Sequence, residues 1–298
     1  MGVTVVGSVA LDTVETPRGI NKDGLGGAAV YFSLAAANYT TVRLVGVIGE
    51  DFPKQHIELL TSKAIDIDGL ECAPGKTFRW TGRYHKDVNV RDTLDTQLNV
   101  FETFHPKLPE AARTEKYLFL GNIHPSVQLE VLDGSAAEFI ALDTMNLWIH
   151  TTPEELKAVL RRVNCLIIND SEVKDLTGEA NVIKGAPAIM KLGPEIVVVK
   201  KGEHGCLLFQ KDSIFAAPAF PLSDVYDPTG AGDSFAGGFM GYIASKDATD
   251  STTLRQAVVH GSVVASFTCE AFGPDRLSAI TTKDIAGRFD DFRRLTTL

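Results

Sequence analysis

The sequence has few cysteines, and none of them form a closely spaced pair. Its 298 residues include Cys72, Cys165, Cys206 and Cys269, and no two of these stand in a CxxC spacing. A disulfide framework or a cysteine-based zinc site needs closer and more regular spacings. The pattern therefore argues against both and is typical of a protein from a reducing cytoplasm.

Positive charge and long apolar runs are also scarce. The 29 Lys and Arg residues are outnumbered by 38 Asp and Glu residues, which gives a net charge of −9. A protein that coats nucleic acid needs the opposite sign, so we expect no nucleic-acid partner. No apolar run approaches the ~20 residues of a membrane helix, and the segment before Asp12 lacks the basic start of a secretory signal. We expect a cytoplasmic protein with no membrane partner.

Three common active-site motifs are absent. The segment from Gly19 to Gly24 is followed by Leu25, where a Walker A loop requires lysine. The first apolar run leads into GSVALD, which ends at Asp12 and is not the GxGxxG of a dinucleotide-binding fold. The segment GDSFAG, from Gly232, has one residue too many for the nucleophile elbow of a hydrolase. These three enzyme classes are disfavoured.

What the sequence does contain is a regular alternation of strand and helix patterns. Short apolar runs predict buried strands at residues 3–10, 42–48, 116–120, 139–142, 165–168 and 196–199. Helical patterns precede, follow or separate them at 27–39, 52–63, 126–132, 153–162 and 182–192. This order predicts an α/β fold with a mostly parallel sheet and helices on both faces.

The segment 77–104 breaks this rhythm. Large and polar side chains alternate from Thr77 to Tyr84, a period of two that predicts a half-buried antiparallel strand. We expect 98–104 to be its partner. The pair could be an ordinary edge hairpin, or it could be a lid that closes over a ligand and excludes water.

The most informative stretch is residues 227–240, DPTGAGDSFAGGFM. Gly230, Ala231 and Gly232 permit a tight turn, and the following residues have a helical pattern. A helix N-terminus behind small residues binds anions through free N–H groups and the helix dipole. Asp233 would lie beside the anion and could take a proton from a substrate hydroxyl. It could instead simply cap the helix.

This stretch resembles the second signature of the PfkB, or ribokinase-like, family of small-molecule kinases. Three further segments agree in family order: Asp12 with GLGGAA at 24–29, NDSE at 169–172 and KGEHG at 201–205. The resemblance implies a ribokinase-like α/β/α sandwich formed by one domain over residues 1–298. It also implies a small β lid built from about 12–24 and 77–104.

The resemblance further implies roles for individual residues. The turn and base would be Gly230, Ala231, Gly232 and Asp233, and the acceptor would lie against Asp12, Gly26, Gly27, Tyr31 and Asn122. ATP would be bound by Asn169, Gly202, Gly205 and His260. Lys200 stands where many relatives have Thr; its added charge could reach the ATP phosphates, or the side chain could simply be solvated. Glu172 would organise Mg²⁺ through water, and Asp227 and Thr229 would form a monovalent-cation site, with K⁺ as the candidate ion. Asp143 and Asn146 match an acid and an Asn near the active site of relatives.

Several of these matches have simpler interpretations. The segment 169–172 also fits a helix capping box. Asp12 could begin a loop, Gly26 and Gly27 could start a helix, and Lys201 with Gly202 could be a plain turn. A histidine on an Ala- and Val-rich helix face, such as His260, is more often part of the core.

The acceptor is the least determined feature. Tyr31 stands where ribokinases proper have a sugar-binding Asn, which argues against a strict ribokinase. Aromatic residues suit a flat base, because base stacking stabilises by about 1–3 kcal/mol in single-strand binders. The predicted lid has Phe78, Trp80, Tyr84, Phe101 and Phe104, and Tyr31 and Phe32 lie beside the Gly-Gly pair. We therefore expect a nucleoside kinase that phosphorylates the ribose 5′-hydroxyl.

The alternative is a sugar or sugar-acid kinase of the same mechanism, in which these rings only form the lid's own core. A non-catalytic ligand-binding relative is a remote alternative, because Asp233 and the turn glycines are intact. Relatives pair through exposed lid strands, and a strand edge favours such a homodimer.

Overall fold

The computed structural model describes residues 1–297. In chain order the strands are β1 (Gly2–Val6), β2 (Ala10–Thr16), β3 (Gly19–Gly26), β4 (Thr41–Gly49), β5 (Ile65–Ala73), β6 (Phe78–Tyr84), β7 (Arg91–Gln97), β8 (Tyr117–Leu120), β9 (Phe139–Asp143), β10 (Cys165–Asn169), β11 (Ile196–Lys200), β12 (Cys206–Gln210) and β13 (Ser213–Ala217). The α-helices are α1 (Ala28–Ala36), α2 (Lys54–Ser62), α3 (Glu110–Arg113), α4 (Pro125–Gly134), α5 (Asn146–Thr151), α6 (Pro153–Leu160), α7 (Asp170–Thr177), α8 (Val182–Met190), α9 (Ala231–Lys246), α10 (Ser251–Thr268), α11 (Asp275–Ala279) and α12 (Thr282–Thr296).

Nine strands form the central sheet, in the order β13-β12-β11-β10-β9-β8-β1-β4-β5. Every pair of neighbours from β11 across the sheet to β5 is parallel. Only the β11–β12 and β12–β13 pairs are antiparallel. Apolar side chains cover both faces of the sheet: Ile167 of β10 faces one core, and its neighbour Leu166 faces the other. The predicted α/β fold with a mostly parallel sheet is confirmed.

The carboxyl ends of three neighbouring strands bring polar side chains to one edge of this sheet. Ile167 pairs with Asp143 between β10 and β9, and Asn169 pairs with Lys200 between β10 and β11. Ligands of open parallel sheets bind outside this edge. The fold therefore places residues that are distant in sequence at one location.

A second, four-stranded sheet has the order β3-β2-β6-β7 and lies apart from the central one. The prediction that 98–104 is the partner of the strand at 78–84 is wrong, because the partner is β7. Residues 99–103 form a short 3₁₀ helix instead. The ring of Phe101 stacks on Phe78 and Phe104, at centroid distances of 5.3 and 5.8 Å. Apolar residues three apart in sequence are a helical spacing, which the prediction overlooked.

Other strands of the structure also differ from the sequence prediction. The expected first strand over 3–10 is interrupted after Val6, and Ala10 already belongs to β2 of the smaller sheet. Strands β5, β12 and β13 lie at the ends of the central sheet and were not predicted. Within residues 1–297, no helix combines the length and the apolar character needed to cross a lipid bilayer.

Helix α9 packs very closely on two neighbouring helices because glycines occupy its contact faces. A Cβ on Gly237 would overlap the carbonyl oxygen of Phe32 and lie 2.7 Å from the Cβ of Ala35, both on α1. A Cβ on Gly238 would lie 3.1 Å from the Cα of Gly261 on α10. The glycines thus fix where the N-terminus of α9 stands relative to the sheet.

We predict that Gly237→Ala lowers the free energy of unfolding by about 1–3 kcal/mol, because the added methyl group overpacks the contact with α1. Denaturant unfolding measures the change. The control is Gly287→Ala on α12, where a Cβ meets nothing within 4 Å. That variant should be as stable as the parent or slightly more stable, since Ala is the better helix former. Equal stability of Gly237→Ala and the parent would contradict the close packing.

Candidate active site

The turn that precedes α9 is held by the carboxylate of Asp227. This carboxylate accepts hydrogen bonds from the backbone N–H groups of Thr229 and Gly273, at 2.9 and 3.0 Å. Gly230 has a φ of +76°, and the ring of Tyr31 lies where a side chain on Gly230 would stand. Position 230 therefore needs glycine both for its left-handed backbone and for its lack of a side chain.

The turn leads directly into the first turn of α9. The helix begins at Ala231, and its N–H group is bonded to the carbonyl of Pro228 at 3.1 Å. Gly232 and Asp233 follow, among the helical residues whose N–H groups have no carbonyl one turn earlier. With the positive end of the helix dipole, this arrangement suits a bound anion.

Asp233 lies in this first turn and is half-buried. Desolvation and the charge of Asp143 raise its pKa to about 7, although the ammonium group of Lys200 opposes the change. A carboxyl group with a pKa near neutrality can hold a proton or release it in the ordinary cellular range. This is the property that a general base requires.

Lys200, the last residue of β11, reaches the same turn. Its Nζ lies 3.6 Å from Oδ1 of the buried Asp143 and 3.0 Å from the point where a Cβ on Gly232 would lie. Burial alone would lower the pKa of Lys200, but the carboxylates of Asp143, Glu172 and Asp233 more than offset this and raise it. A charged ammonium group therefore stands among three carboxylates at the start of α9.

Asp12 lies on the other side of the turn, on β2 of the smaller sheet. Its side chain is buried against Gly26, whose added Cβ would lie 3.1 Å from the Cβ of Asp12 and overlap its carboxylate. The backbone N–H group of Gly27 faces this carboxylate and favours its ionised form. Burial, with the charges of Asp227 and Asp233, raises the pKa of Asp12 to about 7. The structure thus brings the predicted acceptor residues Asp12, Gly26 and Gly27 close to Asp233.

Asn122 and Asn146 follow β8 and β9, but their side chains serve local structure. The amide oxygen of Asn122 accepts from the indole N–H of Trp148 at 2.9 Å, and its amide nitrogen lies 3.1 Å from the sulfur of Met145. Asn146 accepts the N–H of Leu147. No hydrogen bond between residues 1–297 joins either side chain to the carboxylate cluster.

A cavity of about 500 Å³ opens beside these carboxylates. This volume lies in the range of cofactor sites. Four of the five residues predicted to bind ATP and two of the turn residues line it together: Asn169, Lys200, Gly202, Gly205, Ala231 and Gly232. The polar edge of the sheet, the start of α9 and the loop after β11 therefore share one space.

Three parts of this cavity were not found from the sequence. The loop at 219–225, the lid tip at Val88 and Asn89, and one face of α10 also line it. The α10 face consists of the small residues Ser262, Ala265, Ser266 and Cys269. Their spacing of three, four and seven residues is a helical period that the sequence displays and that could have identified them.

The structure does not bring His260, the fifth residue predicted to bind ATP, to this cavity. His260 lines a separate cavity of about 280 Å³, and its ring is stacked between Tyr242 and Phe289, at 4.2 and 4.5 Å. Its Nδ1 lies 3.1 Å from the hydroxyl oxygen of Tyr39. Desolvation, with a contribution from Lys246, lowers the pKa of His260 to about 4. His260 precedes Ser262 by two residues, and two residues are more than half a turn of a helix. His260 therefore points away from the face of α10 that lines the nucleotide cavity.

Asn169 and Glu172 form the capping box that the sequence left as an alternative. Asn169 Oδ1 accepts from the N–H of Glu172 at 2.8 Å, and Glu172 Oε2 accepts from the N–H of Asn169 at 3.0 Å. Burial and the charge of Asp143 raise the pKa of Glu172 to about 7. Within residues 1–297, no group of three or more His, Cys, Asp or Glu side chains is arranged to hold a metal ion.

The smaller sheet makes contact with the nucleotide side of the site as well. Asn89 at its tip lies against Gly202, since its Oδ1 is 2.6 Å from the point where a Cβ on that glycine would lie. Arg18, in the turn between β2 and β3, forms an ion pair with Asp224 of the loop that lines the cavity. The smaller sheet therefore spans both the acceptor side and the nucleotide side.

Comparison with known proteins identifies the family that has this arrangement. Residues 4–281 match the pfkB family carbohydrate kinase domain. The chain belongs to the PfkB family. It is therefore a phosphotransferase of the carbohydrate and nucleoside kinase type, as its sequence signatures imply.

Relatives in the PfkB family align with this chain over most of its length. A cytidine kinase of Thermococcus kodakarensis is 32% identical over 251 residues, which cover 80% of this chain and 87% of that protein. A nucleoside kinase of Methanothermobacter thermautotrophicus is 26% identical, over 83% of this chain and 79% of that protein. The solved structure of a nucleoside kinase from Methanocaldococcus jannaschii, an archaeal member of the ribokinase family, superimposes with a TM-score of 0.78 at 20% identity, over 97% and 98% of the two chains. This last likeness confirms the ribokinase-like fold.

We predict that Asp233→Asn lowers kcat by about 10²–10⁴-fold, because an amide cannot take the proton of the attacking hydroxyl. Steady-state release of ADP measures the loss. Affinity for ADP, measured by calorimetry, should stay within a few-fold of the parent. The control is Asp212→Asn in the exposed turn after β12, which should keep full activity. Near-normal turnover by Asp233→Asn would remove the assignment of the base.

The raised pKa of Asp233 also predicts a pH dependence. The base is active when ionised, and its pKa is raised to about 7, so the rate should fall as the pH drops through 7 and level off above 8. The profile of kcat/KM between pH 5.5 and 9 tests this. A flat profile down to pH 5.5 would show that the base titrates in the ordinary range of an aspartate, about 3.9.

Proposed function

We propose that the protein is an ATP-dependent nucleoside kinase that transfers the γ-phosphoryl group to the ribose 5′-hydroxyl. The observation that carries the acceptor class is the indole ring of Trp80, with the guanidinium group of Arg91 beside it, on the same face of the smaller sheet as Asp12. Two relatives matched over about four-fifths of the chain or more, a cytidine kinase and a nucleoside kinase, support the same class.

The surface is built by the register of the smaller sheet. Asp12 of β2 pairs with Trp80 of β6, and Tyr84 of β6 pairs with Arg91 of β7, so the four side chains lie on one face. This face points to the turn before α9, because the hydroxyl group of Thr229 donates to that of Tyr84 at 3.3 Å. The ring of Trp80 is therefore presented to the acceptor side of the site.

Glycine beneath the indole allows this placement. A Cβ on Gly82 would overlap the ring of Trp80 and lie 2.8 Å from its Cζ3 atom, so the indole lies flat across the strand. The indole N–H donates to Thr93 at 3.3 Å, and the guanidinium carbon of Arg91 lies 5.2 Å from the ring centroid. An indole held in place, with a guanidinium group near its ring, is a suitable platform for a planar base. Asp12, a short distance away on the same face, would accept hydrogen bonds from the ribose hydroxyls.

Part of the aromatic argument from the sequence does not apply. Phe78, Phe101 and Phe104 stack on one another, and Phe32 stacks on Phe119 in the main core at 4.4 Å. These rings build the protein rather than a ligand surface. Trp80, Tyr84 and Tyr31 remain at the acceptor side; the two tyrosines are buried, so the proposal rests on Trp80.

The mechanism is an in-line displacement. The 5′-hydroxyl oxygen attacks the γ-phosphorus, its proton passes to the Asp233 carboxylate, and the bond from the phosphorus to the β,γ-bridging oxygen breaks to release ADP. The free N–H groups at the start of α9 stabilise the charge on the transferring phosphoryl group. Closing the smaller sheet over the acceptor keeps water from competing.

The residues present fit a nucleotide-borne Mg²⁺ ion. Mg²⁺ usually keeps several waters and is bound through substrate phosphates and one or two carboxylates, so a full protein cage is not required. Glu172 and Asp143, both enclosed at the phosphate side, would hold its water ligands, and the ion would neutralise phosphate charge. Asp227 with Thr229 would form the monovalent-cation site, in which K⁺ is the candidate. In a homodimer through the lid, the exposed strand β7 would be the pairing edge.

The test of the function is ADP release with Mg·ATP against nucleosides, pentoses, hexoses and sugar acids. Turnover confined to nucleosides is expected. Turnover confined to sugars or sugar acids would keep the chemistry of Asp233 and overturn the acceptor class. Absence of turnover with every acceptor, together with tight ATP binding, would favour a non-catalytic relative.

We predict that Trp80→Ala raises the KM for a nucleoside by about 5–150-fold, since loss of a stacked base costs about 1–3 kcal/mol. Steady-state kinetics with saturating ATP measure the change. The KM for ATP should not change. Thr81→Ala, whose side chain alternates to the opposite face of β6, is the matched control. An unchanged nucleoside KM in Trp80→Ala would show that the indole serves only the lid.

A further inference from the structure

We infer that Lys200 is a catalytic residue whose ammonium group contacts the phosphoryl group during its transfer, rather than an anchor for bound ATP. The inference rests on the proposed phosphoryl transfer but not on the identity of the acceptor.

The first observation that supports this role is the position of Lys200. Among the residues that line the nucleotide cavity, Lys200 is the only basic one. Its Nζ stands 3.0 Å from the point where a Cβ on Gly232 would lie, and its Cε and Cδ atoms run along the same residue at 3.9 and 4.0 Å. The ammonium group is therefore at the start of α9, the end of the cavity that faces Asp233, and not at the loop with Gly202 and Gly205.

The surroundings of Lys200 fix the ammonium group there. Its side chain is 19% exposed, and Asp143 Oδ1 lies 3.6 Å from Nζ. Asp143 itself accepts the N–H of Thr144 at 3.0 Å, which holds its carboxylate in place. Long lysine side chains on a surface lose considerable conformational freedom when they bind, whereas this one is already positioned. Asp143 is thus a positioning residue for the cation.

The chemistry requires a cation at this point. The transferring phosphoryl group carries negative charge on three oxygens, and two carboxylates, Asp233 and Asp143, stand nearby. Kinases and nucleotide hydrolases stabilise this charge with lysine or arginine side chains, and a cation of this kind is worth about 10³–10⁵ in rate where it has been removed. Lys200 supplies such a charge from within the chain, next to the N–H groups of the helix.

The experiment compares Lys200→Met and Lys200→Arg with Lys211→Met, a charge-loss control in the exposed turn after β12. We expect Lys200→Met to lower kcat by about 10²-fold or more, with the nucleoside KM and the Kd for ADP within threefold of the parent. Lys200→Arg should recover at least part of kcat, since it keeps the charge, and Lys211→Met should match the parent. A kcat for Lys200→Met within threefold of the parent, or a loss confined to ATP affinity, would overturn the inference.

A readout without turnover separates catalysis from folding. ADP with aluminium fluoride and nucleoside mimics the transferring phosphoryl group, so the parent should bind ADP more tightly when both are added. Lys200→Met should lose this gain while it still binds ADP alone. If Lys200 only neutralised buried Asp143, Lys200→Met would melt at a lower temperature, and adding Asp143→Asn would restore both stability and the gain; that result would overturn the inference.

The acceptor proposal can fail without affecting the inference about Lys200. If the parent turns over no nucleoside, the same variants are compared on the acceptor that is turned over, or on slow hydrolysis of ATP by water.

Discussion

The close packing of α9 against α1 and α10 is the constraint on which the site depends. Glycines at positions 237 and 238 let the helix approach both neighbours, and its N-terminus then stands at the carboxyl edge of the sheet. The turn from Asp227 to Gly230 is fitted against Tyr31 at the same place. If this helix moved by a side-chain width, the anion-binding N–H groups, Asp233 and Lys200 would no longer face one point.

The site concentrates negative charge in a region that is only partly open to water. Asp12, Asp233 and Glu172 each have a pKa raised to about 7, so each lies close to the balance between its two protonation states. Such a cluster is costly in the empty protein and becomes useful when a cation or a phosphate arrives. Functional sites often have this character, because perturbed carboxyl groups are retained for chemistry rather than for stability.

Much of the fold and a good part of the site could be predicted from the sequence. Buried strands such as β10 and β11 are continuous apolar runs, and the turn at 227–233 has an unusual composition, so local patterns identify both. Lys200 and Asp143 each follow such a strand, which is a position that the pattern marks.

Other features depend on contacts between distant segments and leave weaker local signals. The true partner of β6 is β7, whose sequence, Arg91 to Gln97, is almost wholly polar and lacks a hydrophobic alternation. Arg91 was missed for that reason. His260 was misplaced because composition alone does not predict which face of a helix points to a ligand. On α10, only two positions separate the buried aromatic stack from the face that lines the nucleotide cavity.

The smaller sheet touches two loops of the nucleotide cavity, one through Asn89 and the other through Arg18, while its inner face carries the proposed acceptor residues. One rigid element is thus shared by two ligands. Any shift of this sheet that one ligand favours changes the free energy of binding of the other by the same amount, in either order of addition. The affinities for ATP and for the acceptor are therefore thermodynamically linked, and the strength of this linkage depends on how firmly the tip of the sheet holds the loop.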